Sequence, residues 1–194
     1  MQKFPGSRAL YAQPRFMLEL ALLADGVSKE DIYPIDVDRA LNKIRAIKPS
    51  VTTFYASHGQ SVQLIKDGEV DMLVMTDGRA TAAIKEGADI AFTYNEGIID
   101  AGCLAIPKGA PSKIMAMKAI NEFISPEIQA NIPTAFSYGP VNPRAFETGK
   151  IPTELAATLN SAPENLKLQL TLGSAWWAKH EAEVQPNWNA MVQE

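Results

Sequence analysis

Val51-Thr52-Thr53-Phe54-Tyr55 runs into Ser57-His58-Gly59-Gln60, Val70-Asp71-Met72-Leu73-Val74-Met75 into Thr76-Asp77-Gly78-Arg79, and Ile90-Ala91-Phe92-Thr93 into Tyr94-Asn95-Glu96-Gly97. Each apolar segment reads as a strand, and each ends in small, hydrogen-bonding and charged residues. Residues 60–67 and 79–86 between them read as helices, and this alternation specifies an α/β domain. In an open α/β sheet the ligand sits in the crevice beyond the carboxyl ends of the strands. Three strand ends carrying polar groups therefore form one wall of a small-molecule site.

Upstream, Pro14 opens a helix over 15–24 that closes at Asp25-Gly26, glycine suiting the left-handed cap position. Asp36 caps a second helix over 37–47, whose Ala40, Leu41, Ile44 and Ile47 fall at helical spacing, and Pro49 stops it. Downstream, strands are expected over 89–93 and 98–106, then helix pairs: Ser112 caps a helix over 114–124, Pro126 opens another to about 132, and a short helix follows over 151–159. Tyr138-Gly139-Pro140-Val141-Asn142-Pro143 reads as a rigid turn. In the tail, Trp177, Val184, Trp188 and Met191 make one apolar helical stripe, with a break expected near Glu183 because Pro186 lies inside it.

The 194 residues are enough for a core, in one domain or two small ones. Apolar content of 46% and charged content of 21% are those of an ordinary globular chain. A net charge of −4 argues against nucleic-acid binding, which calls for a basic face. Cys103 is the single cysteine, so no internal disulfide forms, and its apolar surroundings 102–106 suggest a packed strand thiol. No apolar run approaches the roughly 20 residues needed to span a bilayer. Met1-Gln2-Lys3-Phe4-Pro5-Gly6 lacks the apolar core of a signal peptide.

Each polar cluster admits a structural and a functional reading. Asp77 can N-cap the following helix or meet a cation, and Arg79 can clamp a carboxylate or phosphate or lie exposed on the helix. Ser57, His58 and Gln60 sit at a helix N-terminus, which favours polar or anionic groups. The two histidines, His58 and His180, are far apart and no nucleophile adjoins His58, so no catalytic constellation stands out. No metal-ligand spacing is visible, and no cofactor motif. Tyr94 with Glu96 and Asp100 offers an aromatic wall and carboxylates, the environment that suits a cationic amine, or else a solvated turn.

A family resemblance is carried by Lys3-Phe4-Pro5-Gly6-Ser7-Arg8-Ala9-Leu10, Leu22-Leu23-Ala24-Asp25-Gly26-Val27, Tyr33-Pro34-Ile35-Asp36-Val37-Asp38-Arg39-Ala40 and Asp67-Gly68-Glu69-Val70-Asp71-Met72. Ala105-Ile106-Pro107-Lys108-Gly109-Ala110-Pro111, the 138–143 turn and Trp176-Trp177 extend it over essentially the whole chain. Together these motifs resemble the periplasmic solute-binding proteins of ABC transporters, of the spermidine/putrescine type. The resemblance implies an α/β, periplasmic-binding-protein type II-like lobe with a mixed sheet flanked by helices, lacking most of the first lobe. It implies a hinged protein that traps solute when two lobes close. By the same analogy residues 1–98 and 141–194 form the second lobe, and 99–140 a hinge crossing that belongs with the first. Apolar surface left on 99–140 favours self-association or segment swapping.

Carried across residue by residue, the resemblance makes Ser57–Gln60, Thr76–Arg79, the Tyr94–Gly97 turn and Tyr138 ligand-facing. Asp77 and Glu96 then neutralise ammonium groups, Tyr94 and Tyr138 line the aliphatic stem, and Ser57 and Gln60 hydrogen-bond. Polyamine-binding relatives usually have tryptophan where this chain has Thr76. The implied function is capture, without chemistry, of a small polar, polyamine-like solute for a permease of the inner membrane, in the periplasm. The alternatives are the ligand-sensing module of a cytoplasmic regulator, for which no helix-turn-helix is present here, and a binding protein for a small carboxylate or phosphonate.

Overall fold

A strand over Arg8–Tyr11 (β1), absent from the sequence-based expectation, lies at the centre of the sheet in the computed structural model, which describes residues 4–194. The reading of Met1–Lys3 falls outside the described residues. Next come helix α1 (Pro14–Ala24), α2 (Val37–Ile47), β2 (Val51–Tyr55), α3 (His58–Lys66), β3 (Met72–Leu73) and α4 (Asp77–Lys85). β1 pairs in parallel with β2 on one side and β3 on the other, giving the order β2-β1-β3. Parallel neighbours bring all three carboxyl ends to one edge.

Alternation along the strands builds two layers of core. On one face Ala9 and Tyr55 pack with Leu64 of α3 and Val70. On the other, Leu10 and Phe54 meet a larger cluster of Leu18, Leu22, Leu41 and Ile44 from α1 and α2. Trp177, Val184, Trp188 and Met191 complete that cluster from α10 (Ser174–Gln193). Asp36 caps α2 as expected, its side chain accepting the Arg39 N–H at 3.0 Å.

The sequence-based expectation departs from the structure at several points. Helix α10 runs through Pro186 without a break. An interior proline costs about 3 kcal/mol. Burying Val184, Trp188 and Met191 on either side stabilises by roughly 1.5–3 kcal/mol each, which outweighs it. The expected strands over 89–93 and 98–106 shrink to Ile98–Ile99 (β4), paired with Leu170–Thr171 (β5). The rest has strand composition but no ladder partner among the described residues, and a strand needs one. Cys103 consequently lies exposed outside any strand, not packed in one.

Beyond β4 come α5 (Lys113–Phe123), α6 (Pro126–Gln129), α7 (Ile132–Phe136), α8 (Thr153–Ala156) and α9 (Pro163–Leu168). The chain resolves into two compact units, one of residues 1–98 and 170–194, the other of residues 99–169. The stretch 141–169 thus packs with 99–140. Side chains explain why. Gln129 accepts the Val141 N–H at 2.9 Å and donates to the Phe123 carbonyl, while Asn160 accepts the Gly139 N–H at 2.9 Å. A small core of Ala130, Ala145, Ile151 and Leu159 closes this second unit. Helix α5 buries no residue, and its Ile114 is 74% exposed.

Candidate functional site

At the end of β2, Ser57 has extended backbone and its hydroxyl accepts the Gln60 N–H at 3.2 Å. Gln60 reaches back, its Oε1 accepting the Ala56 N–H at 2.9 Å. Ser57 thus caps α3 and Gln60 folds back onto the residue before the cap, which explains both residue types at that spacing without a ligand. Replacing Ser57 by alanine should lower the stability of the first unit by about 1 kcal/mol in urea denaturation. Weakened solute binding at unchanged stability would instead assign the hydroxyl to the solute.

His58, the first residue of α3, stacks on Tyr11 at the end of β1, with ring centroids 5.7 Å apart and planes 22° apart. Tyr11 in turn packs at 5.2 Å on Tyr55. The Tyr55 hydroxyl donates to the Val74 carbonyl, tying β2 to the exit of β3. Burial pushes the Tyr55 hydroxyl up to about 12.

At the end of β3, Thr76 occupies the N-cap position of α4, but its side chain makes no capping bond. Asp77 is the first helical residue rather than the cap, and its Oδ1 accepts the Gly78 N–H at 2.8 Å. Its other oxygen accepts the Tyr94 hydroxyl at 3.2 Å. Burial, reinforced by the Asp77 charge, raises the pKa of Tyr94, so its proton stays in that bond at neutral pH. The second and third clusters are thereby brought together, with a half-buried carboxylate held beside an aromatic ring. Phe92 packs edge-on against Tyr94 at 5.3 Å.

The remaining candidates are less engaged. Arg79 is exposed. Glu96 is exposed in the turn closed by the Gly97 N–H on the Tyr94 carbonyl at 2.9 Å, at φ +56°. Tyr138 belongs to the second unit, follows left-handed Ser137 and is 44% exposed. Among the described residues no group of three or more His, Cys, Asp or Glu could hold a metal ion. The arrangement offers charge, hydrogen bonds and ring faces.

Residues 1–160 match the family profile of bacterial extracellular solute-binding proteins. The chain belongs to that family. The gamma-aminobutyric acid-binding protein of Pseudomonas aeruginosa is 33% identical over 195 residues, 98% of this chain and 54% of that protein. The spermidine/putrescine-binding periplasmic protein of Escherichia coli is 26% identical over 138 residues, covering 70% of this chain and 39% of that protein. The crystal structure of an ABC transporter substrate-binding protein from Bradyrhizobium japonicum superposes with a TM-score of 0.93 at 46% identity, over 98% of this chain and 59% of that one. The fold is therefore the α/β periplasmic-binding-protein fold. The chain spans about half the length of the relatives it matches.

The same sheet edge carries a strand end outside the three polar clusters. The exit of β1, Ala12-Gln13-Pro14-Arg15-Phe16, lies between those of β2 and β3, and the Ala12 N–H donates to the Tyr55 carbonyl at 2.9 Å. Four residues beginning with arginine carry too little periodicity to announce a strand. The available signal was Pro14, which opens a helix directly after an apolar run.

Proposed function

We propose that this chain is the solute-carrying part of an ABC-importer binding protein that captures a small solute bearing a cationic amine. The observation that carries the reading is Asp77. It is an anion fixed at the carboxyl end of β3, with one oxygen on a backbone N–H and the other on the hydroxyl of Tyr94. A carboxylate beside a ring is the environment that favours an ammonium group. The solutes named for the Pseudomonas and Escherichia relatives both carry a primary amine. Thr76 leaves out an aromatic face at the position where polyamine-binding relatives usually carry one, which favours a shorter amine over a long polyamine.

Delivery to a membrane permease and residence in the periplasm follow from the same reading, supported by the name of the Escherichia relative. Among the described residues no helix is long and apolar enough to cross a membrane. Residues 1–98 and 170–194 correspond in this reading to the second lobe of a two-lobed receptor. The exposed apolar residues of α5 are then the surface through which self-association acts.

The test is Asp77→Asn in an amide-resolved NMR titration with putrescine. The expected result is a dissociation constant about 10- to 100-fold higher, with stability changed by no more than about 0.5 kcal/mol. Unchanged affinity would remove Asp77 from the site and the reading with it.

A further inference from the structure

We propose that Tyr55 is a positioning residue: its hydroxyl, bonded to the Val74 carbonyl, holds the exit of β3 where the Asp77 carboxylate meets Tyr94. The inference rests on the Asp77 reading above and extends it to a residue that acts on the solute through Asp77.

The strand that carries the carboxylate is short. β3 pairs with β1 at Arg8–Met72 and Ala9–Leu73, whereas β1 goes on to pair with β2 at Leu10–Phe54 and Tyr11–Tyr55. Residues 74–76 thus lie past the last ladder pair and before the first turn of α4, which starts at Asp77. Thr76 adds no side-chain capping bond there. It is in this stretch that the Val74 carbonyl accepts the Tyr55 hydroxyl.

That bond crosses the central strand. In the order β2-β1-β3 the outer strands are separated by roughly 10 Å, two inter-strand spacings. Tyr55 spans the gap on the face it shares with Ala9, Leu64 and Val70, and an alanine at the centre of that face leaves room for the ring. Tyr55 is 1% exposed. Phenylalanine would fill the same space, and burying a hydroxyl costs free energy unless it is bonded, so the oxygen has a task that packing does not explain. Burial pushes its pKa up to about 12, which keeps it a donor at neutral pH. The Val74 side chain packs on the larger core from the other face. Packing therefore sets the depth of residue 74, and the hydroxyl sets the direction of its carbonyl.

The direction matters two residues later. Asp77 accepts the Tyr94 hydroxyl at 3.2 Å, and a displacement of about 0.4 Å takes that bond out of hydrogen-bond range. Tyr94 is anchored in a different segment, a turn closed by the Gly97 N–H on its own carbonyl. A carboxylate that must sit between two independently held groups needs its approach fixed, and a supporting bond behind the contact residue does this.

The experiment compares wild type, Tyr55→Phe and Asp36→Ala by amide-resolved NMR of the whole chain, first without solute and then with putrescine. The Gly78 amide proton is the local signature, because it donates to Asp77 Oδ1 at 2.8 Å. Asp36→Ala is the control: it removes the cap of α2, a comparable loss of stability away from the three clusters. The expected result is that Tyr55→Phe moves the Gly78 resonance and raises the putrescine dissociation constant about tenfold. Asp36→Ala lowers the urea midpoint by a similar amount and changes neither.

If Tyr55→Phe lowers the urea midpoint but leaves the Gly78 resonance at its wild-type position, Tyr55 is a core residue only and the proposal is overturned. It is equally overturned if Gly78 moves while putrescine binds within about twofold of wild type and Asp77→Asn still weakens binding. If Asp77→Asn leaves affinity unchanged, the amine reading fails by itself, and the Gly78 resonance still decides whether Tyr55 places the carboxylate.

Discussion

Trp177→Ala should remove about 3–5 kcal/mol from the first unit, the range for deleting a buried aromatic side chain. Trp177 is 0% exposed and packs among Leu18, Leu22, Ile32 and Trp188. Its Nε1–H donates to Glu19 Oε1 at 2.5 Å, so truncation opens a cavity and also strips a buried carboxylate of a donor. The two losses separate in Trp177→Phe, which keeps most of the volume and removes only the donor. That variant should cost about 1–3 kcal/mol. Tryptophan fluorescence during urea unfolding is the readout, because all three tryptophans, 176, 177 and 188, lie in the first unit and none in the second. A cost below about 1 kcal/mol for the alanine variant would mean that the cluster relaxes around the gap, and that Glu19 does not depend on this contact.

The second large effect is a dependence of stability on pH set by Glu19. Its side chain is 0% exposed, and burial raises its pKa above the ordinary value of 4.5, against the opposing hydrogen bonds from Trp177 and Tyr33. The Tyr33 hydroxyl donates to Glu19 Oε1 at 2.7 Å and accepts the Gly173 N–H at 2.7 Å. Burial and the Glu19 charge raise the pKa of Tyr33 as well, so it stays a donor. In the window between 4.5 and the raised value the folded state binds the Glu19 proton and the unfolded state does not. The stabilisation is therefore fully present below 4.5 and is lost as pH rises through the folded value. Each pKa unit of that window is worth about 1.4 kcal/mol.

Glu19→Gln isolates this contribution, because the amide oxygen keeps an acceptor for Trp177 and Tyr33 without the ionisable charge. The variant should gain on wild type as pH rises from 4 to 8 and be at least as stable at neutral pH. Parallel stability profiles for the two proteins would show that Glu19 does not change its proton on folding. Asp25, Asp71, Glu86 and Glu194 are held below the ordinary carboxylate range by their hydrogen-bond partners and destabilise as pH falls. They are shared by both proteins and drop out of the comparison.

The legible parts of this chain were those decided within one turn or one helical face. Asp36 capping α2, glycine ending α1 and the Trp177–Val184–Trp188–Met191 stripe each follow from residues a few positions apart. Pro186 does not break α10, because the local penalty is met by burial that only the packed core supplies. Residues 89–106 form strand only at Ile98–Ile99 for the opposite reason: composition permits a strand, but hydrogen bonds to a neighbour make one.

The polar clusters were legible as clusters, and their division of labour was not. The Ser57 hydroxyl and the Gln60 amide are committed to backbone N–H groups at the start of α3, a use that cannot be told from ligand binding by residue type. Asp77 differs because its second oxygen reaches Tyr94, seventeen residues away, through a contact that no local pattern encodes.

The sequence by itself determined the α/β alternation, the cap of α2, the apolar stripe of α10 and the polar character of the three clusters, since all of these rest on interactions between near neighbours. Tertiary structure alone decided that Arg8–Tyr11 is the central strand, that Phe16 is held at positive φ, and that Glu19 loses its water. Each of these depends on what packs from a distance: two parallel strands on either side of β1, and Trp177, 158 residues from Glu19, closing over its carboxylate.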